Sequence, residues 1–184
     1  MSPTSKFVAL VGSLVALAPV AVAAQDTDAL RPVQVGLHAG ASMPTGSFRS
    51  SVNNGIAVGA AIELSLSGWW SGRADLDFHR FENHVLSLGN TTSGGTTSLS
   101  SATISAVLRV RNRRHDIVPY ALGGLGLYRF GGAESAVGSQ GSQLGLHGGF
   151  GLDCRLQRII AFVEVRYHNV PPVHVVPLTI GFRY

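Results

Sequence analysis

The stretch WWSGRADLDFHRF alternates: Trp70, Ala74, Leu76 and Phe78 fall on one face of an extended strand, and Arg73, Asp75, Asp77 and His79 on the other. A period of two belongs to a β-strand with two unlike faces. Nothing else in the chain constrains its fold as strongly, because the same alternation recurs in eight segments after Arg31. VQVGLHAGA sets Val33, Val35, Leu37 and Ala39 against Gln34 and His38. GIAVGAAIELS sets Ile56, Val58, Ala60, Ile62 and Leu64 against Ala57, Gly59, Ala61 and Glu63. LSSATISAVLRVR sets Ala102, Ile104, Ala106, Leu108 and Val110 against Thr103, Ser105, Arg109 and Arg111.

VPYALGGLGLYRF is apolar or glycine on both faces, and its Tyr120, Leu122 and Tyr128 are expected outward. QLGLHGGFGLD sets Leu144, Leu146, Phe150 and Leu152 against Gln143, His147 and Asp153. IIAFVEVRYH sets Ile159, Ala161, Val163, Val165 and Tyr167 against Glu164, Arg166 and His168. VVPLTIGFRY sets Val176, Leu178, Ile180, Phe182 and Tyr184 against Thr179 and Arg183.

The connections alternate as well. Residues 42–54, 82–96, 131–141 and 169–174 read as longer loops rich in Gly, Ser, Asn, Thr or Pro, and between them lie short joins at 67–68, 112–116 and 156–158. Long and short loops on opposite ends are the habit of a transmembrane barrel. A soluble barrel or sandwich shares the period, so the decision rests on the polar face. That face is mostly Gly, Ser and Thr with a few charges, and the only Lys is Lys6. A water-facing strand needs Lys and Glu along most of its length.

An inverted assignment suits the composition better: charged residues are 13% of the chain, against about 25% in soluble domains. Arg73, Arg109, Arg111, Arg166 and Arg183 then share the interior with Glu63, Asp75, Asp77, Asp153 and Glu164, five against five. Buried charges survive only when paired. Glycines on the same face leave room for these long side chains. Trp69, Trp70, Tyr120, Tyr128 and Tyr167 are assigned to interfacial girdles at the ends of the apolar band. The fold expected is all-β, an eight-stranded antiparallel up-and-down transmembrane β-barrel with a side-chain-filled lumen.

The N-terminus reads differently. MSPTSK, the apolar run FVALVGSLVALAPVAVA and the small residues before Gln25 form the three regions of a secretory signal. The domains are therefore a signal peptide at 1–24, a lead-in at 25–32 and the barrel at 33–184. Scattered arginines and a net charge of +4 do not make a nucleic-acid face. The single cysteine, Cys154, excludes an intrachain disulfide and reads as a small apolar filler.

In this order, GLHAGASMPTGSF, VPYALGGLGLYRF, FVEVRYHNV and PLTIGFRY resemble a known family: small bacterial outer-membrane β-barrel proteins related to the transmembrane domain of outer-membrane protein A. The resemblance implies that the last strand pairs with the first. It also implies that Val176, Leu178, Ile180, Phe182 and Tyr184 are the signal read by the outer-membrane assembly machinery, with Tyr184 departing from the usual terminal Phe. Full-length relatives carry a peptidoglycan-binding domain, and that tethering role is not carried over. The implied location is the bacterial outer membrane, with membrane lipids and lipopolysaccharide as partners, no nucleic acid, no cofactor and a monomeric state.

Chemistry is sparsely signalled. Asp75, Asp77 and His79 share a face and have the donor types of a metal site, but the reading adopted is an interior ion-pair network with Arg73 and Arg109, with no metal. A lipid A-modifying enzyme is the alternative function. Glu164 and His168 share a strand face, yet the position where lipid A deacylases carry Ser, two residues beyond the His, is Val170. No nucleophile is identified there, and His38 and His147 read as lumen hydrogen-bond partners. The pattern also admits a soluble periplasmic β-barrel binding protein, or a barrel passing small apolar molecules through a lateral opening. The expected function is a non-catalytic barrel with a structural, envelope or surface-contact role.

Overall fold

The computed structural model describes residues 33–83, 86–88, 91–93, 95–110, 116–131 and 141–184. The signal peptide, the lead-in and Arg111 lie outside the described residues. Each alternating segment forms a strand: β1 (Val33–Thr45), β2 (Gly55–Ser65), β3 (Trp70–Glu82), β6 (Thr96–Arg109), β7 (Ile117–Gly131), β8 (Ser142–Leu156), β9 (Ile159–Val170) and β10 (Val173–Arg183). Two short strands, β4 (Leu86–Leu88) and β5 (Thr91–Ser93), pair only with each other inside the loop between β3 and β6. That loop, expected to be an irregular surface segment, therefore contains a small ribbon.

The eight long strands close into an all-antiparallel barrel in which β1 pairs with both β2 and β10. The closing seam runs from Thr45↔His174 to Gly36↔Arg183. It continues to the last residue, where Tyr184 and Val35 exchange backbone hydrogen bonds of 2.9 and 3.1 Å. Closure leaves no open strand edge, which hydrocarbon would not tolerate.

The surface is inverted. Phe150 is 68% exposed and Ile104 60%, whereas Arg183 and Glu164 are each 1% exposed. A water-soluble barrel would show the opposite order. Along β7 the inward face carries Val118, Tyr120, Leu122 and Tyr128. Tyr120, Leu122 and Tyr128 are thus corrected from outward to lumen residues: Leu122 packs inside with Val107 and Tyr120, and the reason for the two tyrosines is given below.

The connection expected at 169–174 is also shorter than the sequence suggested. Pairing between β9 and β10 continues to Val170↔Val173, leaving only Pro171 and Pro172 to turn the chain. Val170, Val173 and Val175 point inward and hold the strands together up to this point. With Phe48, Val52, Phe81, Leu99, Tyr128 and Phe130 they form a buried apolar cluster at the long-loop end of the lumen. Phe48 reaches it from a 3₁₀ turn, Gly46–Ser50, and stacks edge-on against Phe81 at 5.4 Å.

Candidate functional site: the barrel interior

Below the apolar cluster the lumen is polar and layered. Nearest the short-turn end, Glu63 on β2 accepts hydrogen bonds from Ser71 (2.6 Å), Arg109 (2.9 Å) and Arg183 (2.5 Å). Asp153 accepts from Arg109 Nε at 3.0 Å and from Arg183 Nη2. Two guanidiniums and two carboxylates thus tie together β2, β6, β8 and β10.

The next layer is a ring. Arg73 donates to Asp75 (2.9 Å) and Glu164 (2.8 Å), and Arg166 donates to the same two carboxylates at 2.7 and 2.5 Å. Asp77 completes the set of acids. Its partner is His38, with Nε2 2.6 Å from Oδ1, while Arg166 Nη1 stands 3.9 Å from its other oxygen. The fifth acid, which sequence reasoning matched to an arginine, is therefore held by an imidazole on β1.

One device explains how these side chains fit. His38 and Asp77 lie in register on either side of Gly59, and their hydrogen bond passes over it. Tyr120 and Glu164 flank Gly151 in the same way, bonded at 2.7 Å. Ser105 and His147 flank Gly124, with Oγ and Nε2 2.8 Å apart. A glycine on the middle strand lets its two neighbours join hands across it. Tyr120 turns inward because Gly151 gives its ring a place to lie and Glu164 accepts its hydroxyl. The signal was in the sequence as inward glycines, but it becomes readable only once the register is known.

This makes a sharp expectation. A Cβ at position 59 would stand 2.4 Å from both Asp77 Oδ1 and His38 Nε2, so Gly59→Ala breaks their bond. The expected loss is about 1–3 kcal/mol, the cost of leaving a buried donor or acceptor unsatisfied. Gly72→Ala meets nothing nearer than Leu66 at 3.7 Å, and should shift stability by less than about 0.5 kcal/mol. Urea midpoints of the folded protein in lipid vesicles read both.

Above the ion pairs sits a tier of histidines. His79 lies 3.0 Å from Ser42 Oγ, and His168 lies 2.8 Å from the Tyr128 hydroxyl. His147 and His168 stack at 5.5 Å. Tyr128 points inward to meet this tier. Ser42–His79 and Ser105–His147 are nucleophile–base pairs that sequence reasoning did not find, because their members lie 37 and 42 residues apart. A hydrolytic triad also needs a carboxylate behind the imidazole. Glu164 is bound instead to Arg73, Arg166 and Tyr120, and does not orient His168.

A metal fits the lumen poorly. His38, Asp75 and Asp77 bring one ligand atom each within 4.8 Å of one another. Asp75 Oδ1 already receives Arg73 and Arg166, so a cation there would face two guanidiniums at close range. His79, grouped with Asp75 and Asp77 in the sequence, meets Ser42 through Nδ1 and is not among the ligand atoms brought within that distance. A void of about 10 Å³ among His38, Asp77, His79, Arg166 and His168 has the size of one water, not of a passage.

On the outer wall, Leu178, Ile180, Phe182 and Tyr184 are exposed along the closing edge and Val176 is half-buried beside them. Trp69 and Trp70 sit together at the short-turn end, 6.3 Å between rings. Tyr167 lies toward the opposite end, stacked on His174 at 5.9 Å. Cys154 is half-buried.

Comparison with known proteins agrees with this architecture. Residues 12–171 match the family model described as the outer membrane protein beta-barrel domain. No curated protein sequence matches. Among solved structures, Neisserial surface protein A gives a TM-score of 0.62 at 18% identity, over 83% of this chain and 96% of that one. The outer membrane protein OprG from Pseudomonas aeruginosa gives 0.59 at 12% identity, over 86% and 99%. Ail, the attachment invasion locus protein of Yersinia pestis, solved with the heparin analogue sucrose octasulfate, gives 0.54 at 15% identity, over 84% and 100%. At such identities the likeness is one of fold. With its closed seam, inverted surface and family match over most of its length, the chain belongs to the outer membrane protein beta-barrel domain family.

Proposed function

We propose that the protein is a non-catalytic, monomeric integral barrel of the bacterial outer membrane, exported by its N-terminal segment, with a structural or surface-contact role. The observation that carries this reading is the filled lumen. Two layers of ion pairs, a histidine tier and an apolar cluster stand one above another, filling the lumen, and the serines of its two Ser–His pairs, Ser42 and Ser105, are buried. Every barrel strand is paired on both sides, and the β9–β10 ladder skips only Val176 and Pro177, which argues against a lateral opening. The outward residues of β10 would serve as the signal for the assembly machinery.

The competing reading is a lipid A-directed hydrolase working through Ser105–His147 or Ser42–His79. The mass spectrum of lipid A separates the two. Cells lacking the protein and cells overproducing it are expected to give the same acyl-chain pattern. An acyl chain lost on overproduction, and retained with Ser105→Ala or Ser42→Ala, would overturn the non-catalytic reading.

A further inference from the structure

Where the upper ion-pair ring meets the histidine tier, three side chains each keep one polar atom that no protein group satisfies. Arg166 gives Nε to Glu164 at 2.5 Å and Nη2 to Asp75 at 2.7 Å. Its third nitrogen, Nη1, has no hydrogen-bond partner among the described residues. Asp77 is in the same state: His38 Nε2 lies 2.6 Å from Oδ1, and Oδ2 is unpartnered. On His79, Nδ1 meets Ser42 Oγ at 3.0 Å and Nε2 meets no partner. All three residues are at least nine-tenths buried. Buried polar atoms are nearly always bonded to protein or to ordered water, so three in one place call for a ligand.

They share a place. Arg166, Asp77 and His79 all line the void of about 10 Å³ between the ring and the tier. Arg166 Nη1 and Asp77 Oδ2 stand 3.9 Å apart, too far for a direct hydrogen bond and close enough for one small molecule to touch both. Pro177, buried on the inward side of β10, borders the same void and has no N–H to offer it.

The charges select the occupant. A cation would face the Arg166 guanidinium, and an anion the Asp77 carboxylate, at contact distance in either case. What fits is a neutral molecule that donates to Asp77 Oδ2 and accepts from Arg166 Nη1–H. Water does both, and its remaining hydrogen or lone pair meets His79 Nε2 in either tautomer of the imidazole. The volume is that of a single water.

We infer that the lumen binds one structural water, held by Asp77 and His79 on β3 and by Arg166 on β9. These two strands are four places apart in both directions around the eight-stranded ring, so the water bridges opposite walls of the barrel. It gives Asp77 the link to the arginine ring that no direct contact provides. It also completes a chain, Ser42–His79–water–Asp77–His38, that leaves β1, runs along β3 and returns to β1 over Gly59. The site needs only the closed barrel and its paired lumen, whatever the outer surface contacts.

The test is crystallographic. The full chain, folded in detergent and shown to be heat-modifiable, is crystallised once from sodium chloride and once from rubidium bromide, at a resolution that shows ordered waters. Both crystals should show one peak about 2.7–3.2 Å from Arg166 Nη1 and from Asp77 Oδ2, with no anomalous signal from rubidium or bromide. An anomalous peak there would make the occupant an ion and overturn the inference. So would an empty site in which Arg166 and Asp77 close into direct contact.

His79→Phe puts a ring edge where Nε2 stood and should abolish the peak while the Arg166–Asp75 and Arg73–Glu164 bonds persist. His79→Gln keeps a polar end and should retain it. An unmoved peak in His79→Phe would overturn the three-way site. If that variant does not become heat-modifiable, the two wild-type crystals decide alone. In lipid vesicles, the urea midpoint of the wild type should be unchanged when rubidium replaces sodium or bromide replaces chloride at equal ionic strength. A midpoint shift specific to one ion, absent in His79→Gln, would again point to a bound ion and contradict the water.

Discussion

Replacing Arg166 with leucine is expected to destabilise the folded barrel by about 3–5 kcal/mol, the cost of breaking a buried ion pair by removing one partner. Arg166 donates to Glu164 and Asp75 and stands near Asp77, and it is 4% exposed. Without it, Arg73 alone faces two carboxylates in the ring, and one negative charge is left uncompensated. The double variant Arg166→Leu with Glu164→Gln restores the charge balance and should recover part of the loss, with a coupling energy of about 0.5–3 kcal/mol. Both are read from urea unfolding in lipid vesicles. If Arg166 were instead a solvated surface residue, its removal would cost about 0–1 kcal/mol.

Phe150→Arg is expected to cost about 2–4 kcal/mol in a bilayer, the range for arginine on the lipid face of a barrel at mid-depth. Phe150 is the central outward residue of the apolar run Leu144–Leu156 and is 68% exposed. On a water-facing surface the same change would fall within about 0.5 kcal/mol of neutral. The two predictions concern neighbours: Gly149 pairs with Arg166 and Phe150 with Val165, so the substituted side chains stand on opposite sides of one wall. Losing a charge on one side and gaining one on the other should both be harmful. That holds only when the lumen is paired and the exterior is lipid.

How much of this is legible in the chain depends on the strand. On β3, charges and apolar residues alternate so cleanly that Arg73, Asp75, Asp77 and His79 can be assigned to one face by inspection, and all four are buried there. On β7 both faces are apolar or glycine, so the alternation carries no information about which one faces lipid. The outward expectation for Tyr120 fails because its reason for pointing inward lies on other strands, in the space over Gly151 and the carboxylate of Glu164.

The pairing of His38 with Asp77 and the two Ser–His contacts share this non-local origin, since a period of two reports a face but never a register. The apolar cluster at the loop end is illegible for a different reason. Phe81, Leu99, Phe130, Val170, Val173 and Val175 occupy the inward parity that charges occupy lower down, so hydropathy alone does not place them inside. Lumen chemistry changes along the barrel, and one rule for the inward face does not cover its whole height.

The central claim, that this is a closed barrel with its charges inside and its apolar face in the membrane, is tested most directly by electrophoresis. Washed outer-membrane fractions are run in detergent with and without boiling. A closed barrel with a paired lumen resists unfolding until heated, so unboiled protein should run as a distinct band that shifts after boiling, with the protein remaining in the membrane pellet. A single mobility under both conditions, with the protein released into the soluble periplasmic fraction, would contradict the account and mean that its two faces are assigned the wrong way round.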